Sequence, residues 1–229
     1  MPEFLDKITE SIDKSLRAVT SQAREVVETT KLKLGNCWGQ LGLGDTEDRL
    51  TPTKARGLPD GSPGPAVRTS GLTPTKAPGL SKVKAILAGD YHSLAFTESG
   101  EVYAWGANRG GQLGLREGRL TPTKVPGLPK VKAIAAGWRH SLAITKSGEV
   151  YAWGRNDEGQ LGLGDREGRL TPTKVPGLPK VKAILAGDYH SLALTESGEV
   201  YAWGRNDKGH LGLGDRQNRL TPAKVAVFR

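Results

Sequence analysis

The chain copies itself. Residues 119–168 and 169–218 are identical at 41 of 50 positions. A third copy over 71–118 aligns with both and is two residues shorter, reading "GQLGLREGRL" where the others read "GQLGLGDREGRL" and "GHLGLGDRQNRL". Part of a further copy, "GQLGLGDTEDRLTPTK", lies at 39–54, and the chain ends in another fragment, "RLTPAKVAVFR". A period of about fifty residues restricts the fold to architectures that stack one supersecondary unit repeatedly, a solenoid or a propeller.

Each full unit holds four short strand candidates. In the middle copy "VKAIAAG" at 131–137 is small and apolar, and "SLAIT" at 141–145 follows a Gly-Trp-Arg-His turn. "KSGE" at 146–149 is a tight hairpin with glycine where φ must be positive. "VYAWG" at 150–154 returns, with apolar residues on both parities, so both faces are expected to be buried. A long glycine-rich loop leads into "LTPTKVPGL", which contains Pro172 and Pro176. Proline donates nothing to a ladder, which puts this strand at a sheet edge. Four strands per unit, the last at an edge and both faces covered, describe a propeller blade better than a solenoid turn. A composition with 31 glycines and 36% hydrophobic residues suits such a turn-rich all-β protein.

The consensus "AGxxHSLALTxSGEVYAWGRNxxGQLGLGD", followed by "LTPTKVPGL", resembles the repeat of the regulator of chromosome condensation family. The likeness covers about 72–229 together with 37–54. It implies blades of a propeller that in this family is typically seven-bladed. Members include a nucleotide exchange factor for a small GTPase that also binds chromatin, a plant UV-B photoreceptor, ubiquitin-ligase domains and a bacterial β-lactamase inhibitor. The resemblance therefore implies a fold and a habit of binding, not one activity.

Three complete blades depart from that pattern, because closed propellers usually have at least four. An arc of three has two open edges, which invite pairing. Self-association of two arcs into one ring is one expectation, and a solitary open arc the other. Residues 55–71, "ARGLPDGSPGPAVRTSG", form an irregular Pro/Gly/Ser-rich linker where much of a blade is missing, as in a truncated or rearranged array. The expected organisation is a helix over 1–35, a partial repeat over 36–54, the linker over 55–71, and three repeats with a terminal partial strand over 72–229.

The leading segment is of another kind. Leu5, Ile8, Ile12, Leu16, Val19, Ala23, Val26 and Thr30 keep the three-and-four spacing of an amphipathic helix. Acids stand at its start, Lys31 and Lys33 at its end, and Gly35 after it. It is similar to the leading helix of small bacterial zinc-ribbon proteins. Those need paired cysteines, and Cys37 is alone, so no metal site is expected. Covering a propeller edge and forming a coiled coil are its two expected roles.

Net charge of +9 favours acidic partners, nucleic acid among them. Each "RLTPTKVPGLPKVK" supplies four cations, such as Arg169, Lys174, Lys180 and Lys182, offset by loop acids such as Asp165 and Glu167. No aromatic residues interleave with them, so a solvated edge outweighs a phosphate-binding belt. A cytoplasmic protein without membrane span or cofactor is expected.

Motifs that suggest chemistry recur once per copy. His92, His140 and His190 each precede a serine, yet a catalytic centre needs one converging set, so these are expected to satisfy turns. Trp105, Trp153 and Trp203 are expected in the blade core or between blades, and Asn108, Asn156 and Asn206 on loop backbone. "NDEGQLGLGD" lacks the alternating acids of a calcium loop, and no catalytic residue is assigned.

What remains is where the copies disagree. The last two copies differ at nine positions, most of them in turns and loops. Drift accounts for variable loops on a packed scaffold; a partner surface is the alternative. The candidate partner residues are Asp90, Tyr91, Trp138, Arg139, Asp188 and Tyr189 of the turns, with Glu158, Gln160, Lys208 and His210 of the long loops. "GWRHS" also resembles a turn of the plant photoreceptor, though only one copy carries it here. Trp, Arg and Tyr are the types enriched in interface hot spots, and Arg139 is a candidate to pair with Asp90 or Asp188 on an adjacent blade or in a facing subunit. The expected role is a non-enzymatic binding or scaffold module. Nucleotide exchange, chromatin or nucleic-acid binding, and enzyme inhibition are its family-based alternatives.

Overall fold

The computed structural model of the chain describes residues 79–226. The expected helix over 1–35, the partial repeat over 36–54, the linker over 55–71 and residues 227–229 lie outside them. Within them the chain forms three four-stranded antiparallel sheets, one per repeat. The first comprises β1 (Val83–Ala88), β2 (His92–Thr97), β3 (Val102–Gly106) and β4 (Arg119–Lys124). The second comprises β5 (Val131–Ala136), β6 (His140–Thr145), β7 (Val150–Gly154) and β8 (Arg169–Lys174). The third comprises β9 (Val181–Ala186), β10 (His190–Thr195), β11 (Val200–Gly204) and β12 (Arg219–Lys224). Strand order follows chain order in every sheet, as in a propeller blade.

Residue type explains strand position. β1, β5 and β9 run beside one another at the centre of the arc, where blades crowd. Their "VKAILA" and "VKAIAA" sequences supply the small side chains this requires. Pro122, Pro172 and Pro222 lie in β4, β8 and β12, each the outer edge, where a missing N–H leaves no gap in a ladder. The expected strand through Pro176 is shorter: β8 ends at Lys174, and Pro176-Gly177 form a turn with Gly177 at φ +74°. Proline presets the first position of such a turn and glycine accepts the second. Gly148 of the "KSGE" hairpin has φ +85°, and its N–H donates to the Thr145 carbonyl at 3.0 Å.

Blades are joined by a repeated junction. Val131, Ile134 and Trp153 of the second blade pack against Leu94, Phe96 and Val102 of the first. Val181, Ile184 and Trp203 of the third pack in the same way against Leu142, Ile144 and Val150 of the second. A polar lock runs alongside. The Gln112 carbonyl accepts hydrogen bonds from Trp153 Nε1 at 2.9 Å and Ser141 Oγ at 2.7 Å. Gln160 receives Trp203 at 2.9 Å and Ser191 at 2.8 Å. His92 Nε2 lies 2.9 Å from Ser141 Oγ, and His140 Nε2 3.1 Å from Ser191 Oγ.

The serine hydroxyl has already given its proton to a carbonyl, so it accepts from the imidazole. Nε2 therefore carries the hydrogen and Nδ1 is a bare lone pair. Nδ1 of His92 and of His140 is buried with no partner. Protonation would put a charge and an unmatched N–H into a dry site. Burial accordingly pushes His92 down to about 4 and His140 to about 3, the neighbouring histidines adding to the latter.

Glycine in "AGxxHS" follows from the same ring. A Cβ on Gly89 would lie 2.5 Å from the Gly137 carbonyl oxygen and 2.6 Å from His92 Cε1. A Cβ on Gly137 would lie 2.5 Å from the Gly187 carbonyl oxygen and closer still to His140 Cε1. Gly137→Ala is expected to destabilise the fold by roughly 3 kcal/mol, because backbone and a locked ring must both yield. Gly177→Ala, with open space around it, is expected to cost about 1 kcal/mol from its positive φ alone. Chemical denaturation distinguishes the two. The histidines also impose a pH dependence. Their pKa values are depressed in the folded state, so the unfolded chain binds more protons between about 4 and 6.5. Stability is expected to be fully present above pH 6.5 and to fall as pH drops towards 4, by roughly 3 kcal/mol for each buried ring. Denaturation midpoints across that range test it; a flat profile contradicts it.

Candidate functional site

The turn between the first two strands of each blade is closed by one backbone bond. The N–H of Gly89, Gly137 and Gly187 donates to the carbonyl of His92, His140 and His190, each at 2.9 Å. Glycine and histidine are thereby occupied, and the two residues between them are half-buried or exposed. In the outer copies those residues are Asp90-Tyr91 and Asp188-Tyr189, and in the middle copy Trp138-Arg139. A second bond ties the long loop beside the turn. Ala107 N–H donates to the Tyr91 carbonyl at 2.8 Å, Arg155 to Arg139 at 2.8 Å, and Arg205 to Tyr189 at 3.0 Å. Turn and loop thus form one surface at the same end of all three blades.

On that surface the rings meet. Tyr91 and Trp138 stand edge to face with centroids 6.2 Å apart, and Trp138 and Tyr189 are tilted at 5.0 Å. The Arg139 guanidinium lies 4.3 Å from the Trp138 centroid and 5.5 Å from that of Tyr91. Arg155 lies 5.2 Å from Trp138, and Arg205 5.4 Å from Tyr189. All three rings are half-buried. The result is a cationic aromatic track crossing three blades, with each ring's face available to a guanidinium and its edge to solvent.

Six of the ten expected partner residues fall here or beside it: Tyr91, Trp138, Arg139 and Tyr189 in the track, Asp90 and Asp188 exposed on its rim. Within the chain Arg139 does not use a neighbouring aspartate, and a pairing with a facing subunit lies outside this structure. Arg139 makes no ion pair among the described residues and rests on the faces of Tyr91 and Trp138. Gln160 is not at the surface. It is 1% exposed, its carbonyl holds the next blade, and its side chain accepts from Glu158 N–H at 3.0 Å. Glu158 accepts from Asn218 Nδ2 at 2.8 Å, bridging two blades. Lys208 is exposed, while His210 stacks on His190 with centroids 5.0 Å apart. Burial, and then His210, hold the His190 imidazole below its usual range.

Arg155 and Arg205 are functional candidates that the sequence comparison missed. Identical in the last two copies, they do not appear among the differences; the first copy carries Ala107 at the matching place. Each also binds a carboxylate: Arg155 meets Asp157 at 2.5 Å and Arg205 meets Asp207 at 2.7 Å. Asn156 and Asn206 fold the loops as expected, accepting from Leu161 and Leu211 N–H at 2.9 and 3.0 Å. Among the described residues no cluster of three or more His, Cys, Asp or Glu is arranged to hold a metal ion.

The basic edge strands are largely neutralised. Lys124, Lys174 and Lys224 each reach the glutamate of the adjacent hairpin, Glu101, Glu149 and Glu199, at 2.8, 2.6 and 2.5 Å. Arg169 and Arg219 each meet an aspartate, Asp165 and Asp215, at 2.5 Å. Such exposed pairs add little stability, but they remove the unmatched charge a phosphate belt needs.

The track is an addition to the blade rather than part of its core. Trp138→Ala is expected to cost only about 1 kcal/mol of stability, the size of a half-exposed ring pair. Trp153→Ala, which empties a fully buried site, is expected to cost about 4 kcal/mol. Denaturation of both variants measures the contrast.

Known proteins share this architecture. Residues 56–229 match the family model for the RCC1-like domain. The chain is 39% identical over 77 residues to the ultraviolet-B receptor UVR8 of Arabidopsis thaliana, covering 34% of this chain and 13% of the receptor. It is 42% identical over 81 residues to the X-linked retinitis pigmentosa GTPase regulator of Canis lupus familiaris, covering 35% of this chain and 6% of the relative. The crystal structure of Prp20p from Saccharomyces cerevisiae superposes with a TM-score of 0.58 at 30% identity, over 65% of this chain and 39% of that one. The chain thus spans well under half the length of these relatives. Blade sequence, strand order and the extent of the family match agree: the chain belongs to the RCC1-like domain family.

Proposed function

We propose that the protein is a non-enzymatic binding module that docks a protein partner on the loop end of its blades, through Tyr91, Trp138 and Tyr189 with Arg139, Arg155 and Arg205. The observation that carries this reading is the continuity of the track. Three turns from three separate blades bring their rings within 6.2 and 5.0 Å of one another. Aromatic and arginine side chains on rigid turns lose little conformational freedom on binding, which makes them effective anchors. The scaffold beneath is stiff, because each turn is bonded to its neighbouring loop and each blade is locked to the next.

Relatives support a binding role of this general kind. Prp20p has been characterised for its binding to Gsp1p and histones, and crystallised bound to Kap60. Most RCC1-like repeat proteins act as binding or regulatory modules, although one relative, HERC5 of Homo sapiens, is a ligase. A nucleotide-exchange role rests on those names alone, and no residue of this chain is assigned to it. Nucleic acid is the less favoured partner because the basic edge strands carry their own carboxylates.

The experiment is a comparative capture. Proteins retained by the wild-type chain are expected to be lost, at least tenfold, on substituting Trp138→Ala with Arg139→Ala. They are expected to be kept on substituting Lys174→Ala, which lies exposed on the outer strand beside Glu149 of the hairpin, at the opposite end of the blade from the turns. Equal retention by the double variant and the wild type would count against the site.

A further inference from the structure

The two junctions between the blades are built alike at the hairpin end, opposite the turns. The N–H of Val131 donates to the Gly100 carbonyl of the first blade at 3.0 Å, and that of Val181 to the Gly148 carbonyl of the second at 2.9 Å. Each hairpin is also tied to its own inner strand. Lys146 N–H donates to the Lys130 carbonyl at 2.9 Å, and Glu196 N–H to the Lys180 carbonyl at 2.8 Å. The inner strands start in one register, with Val83 opposite Thr97, Val131 opposite Thr145 and Val181 opposite Thr195. The same five charged positions therefore surround each junction at this end.

Their charges differ. At the second junction Lys132 of one blade reaches Glu196 of the next at 3.7 Å. Lys174 holds Glu149 at 2.6 Å, and Lys180 is the third cation. Three ammonium groups face two carboxylates, a local charge of +1. At the first junction the matching cations are Lys84, Lys124 and Lys130, but the place of Glu196 is taken by Lys146. One carboxylate is left, Glu101, and its Oε1 is shared by Lys124 at 2.8 Å and Lys130 at 3.6 Å. The local charge rises to +3. Lys84 and Lys146 are exposed and make no ion pair among the described residues. A single letter that differs between near-identical copies has taken away a cross-blade ion pair and put an unmatched cation in its place.

We propose that this corner of the first junction is an anion site whose ligand is a phosphate group, free or carried on a phosphorylated protein. A carboxylate is already present and leaves the excess standing. A phosphate monoester carries roughly 1.5 to 2 negative charges near neutral pH, with three acceptor oxygens, and matches the excess more closely. Lysine ammonium groups are point charges with three donors each, suited to a compact oxyanion approached from several sides. The backbone beneath is fixed by the bonds of Val131 and Lys146, so the ammonium groups converge without rearrangement of the blades. Being exposed, the site is weakened by salt. It lies at the other end of the blades from the aromatic track and does not depend on the partner proposed there.

Fluorescence anisotropy of a labelled phosphoserine peptide with the full chain, at about 50 mM salt, tests this. The wild type is expected to bind it, and to bind the unphosphorylated peptide at least tenfold more weakly. Lys146→Glu, which copies the third blade, is expected to weaken binding at least tenfold with an unchanged circular dichroism spectrum. Glu196→Lys, which copies the second blade, is expected to double the number of sites. Inorganic phosphate as competitor distinguishes the two sources. Displacement at concentrations near the peptide's own Kd identifies free phosphate as a sufficient ligand, whereas a requirement for at least tenfold more identifies the phosphorylated chain. Three results would overturn the proposal: no binding of either probe, equal binding of both peptides, or binding that neither Lys146→Glu nor Glu196→Lys changes.

Discussion

Everything in this molecule depends on a serine hydroxyl between two blades. Its proton goes to the backbone carbonyl of the preceding loop, and its lone pair receives the imidazole of the preceding blade. Tryptophan from the same blade donates to the same carbonyl. A carbonyl has two lone pairs, and this one uses both. Histidine must then be neutral, in one tautomer, with its other nitrogen unmatched. That unmatched nitrogen is a standing cost of a buried network, and it makes the junction specific. A blade that did not bring serine, tryptophan and histidine to these three places would bury unsatisfied groups. The same ring excludes a side chain from the glycine three residues before it. One hydrogen-bonded lock thus dictates Gly, His, Ser and Trp in every copy, at positions far apart in the chain.

The lock also decides what is left free. Between the dictated glycine and histidine stand two residues whose side chains take no part in the lock. They are the only part of the turn on which the blade makes no demand, and here the middle copy replaces Asp-Tyr by Trp-Arg. The replacement moves the ring from the second turn position to the first. From there it reaches the tyrosines on both sides, at 6.2 and 5.0 Å. Arginine, now in the second position, lies across ring faces rather than beside a carboxylate. A change of two letters thereby converts three separate turns into one surface. Rigidity below and latitude above are the conditions for a binding face, and a single junction supplies both.

Much of this was legible in the sequence. The fifty-residue period and the "SGE" hairpins locate the first three strands of each blade to within a residue or two, and the edge prolines place the fourth, which ends four residues sooner than expected. The recurrence of "HS" points to a structural part for these side chains, but the expected turn is not what they hold: His92 and His140 reach serines of the next blade. Trp138 and Arg139 stand out because the copies around them agree. Other features escaped. Gln160 differs from His210 between copies and so looks like a surface position, yet it is buried, because what matters at that place is a backbone carbonyl common to every residue type. Arg155 and Arg205 escaped for the opposite reason, since identity between copies hides a residue that contributes to a shared surface. The ring contacts of Arg139 were not legible either, because the distance from a guanidinium to an aromatic face is set between blades rather than along the chain.

The sequence by itself determined the unit: four strands, their order, the edge that proline enforces and the turn that glycine permits. These are short-range consequences of backbone sterics and hydrophobic pattern, and they repeat wherever the letters repeat. Only the tertiary structure decided how the units use one another. It alone sets the tautomer of the histidines, the burial of Gln160, the meeting of three rings and the different burial of matching residues in different blades. The reason is physical. Near-identical blades have near-identical local energies, so what distinguishes Val83 from Val131, or His190 from His140, is not the residue but the presence of a neighbour.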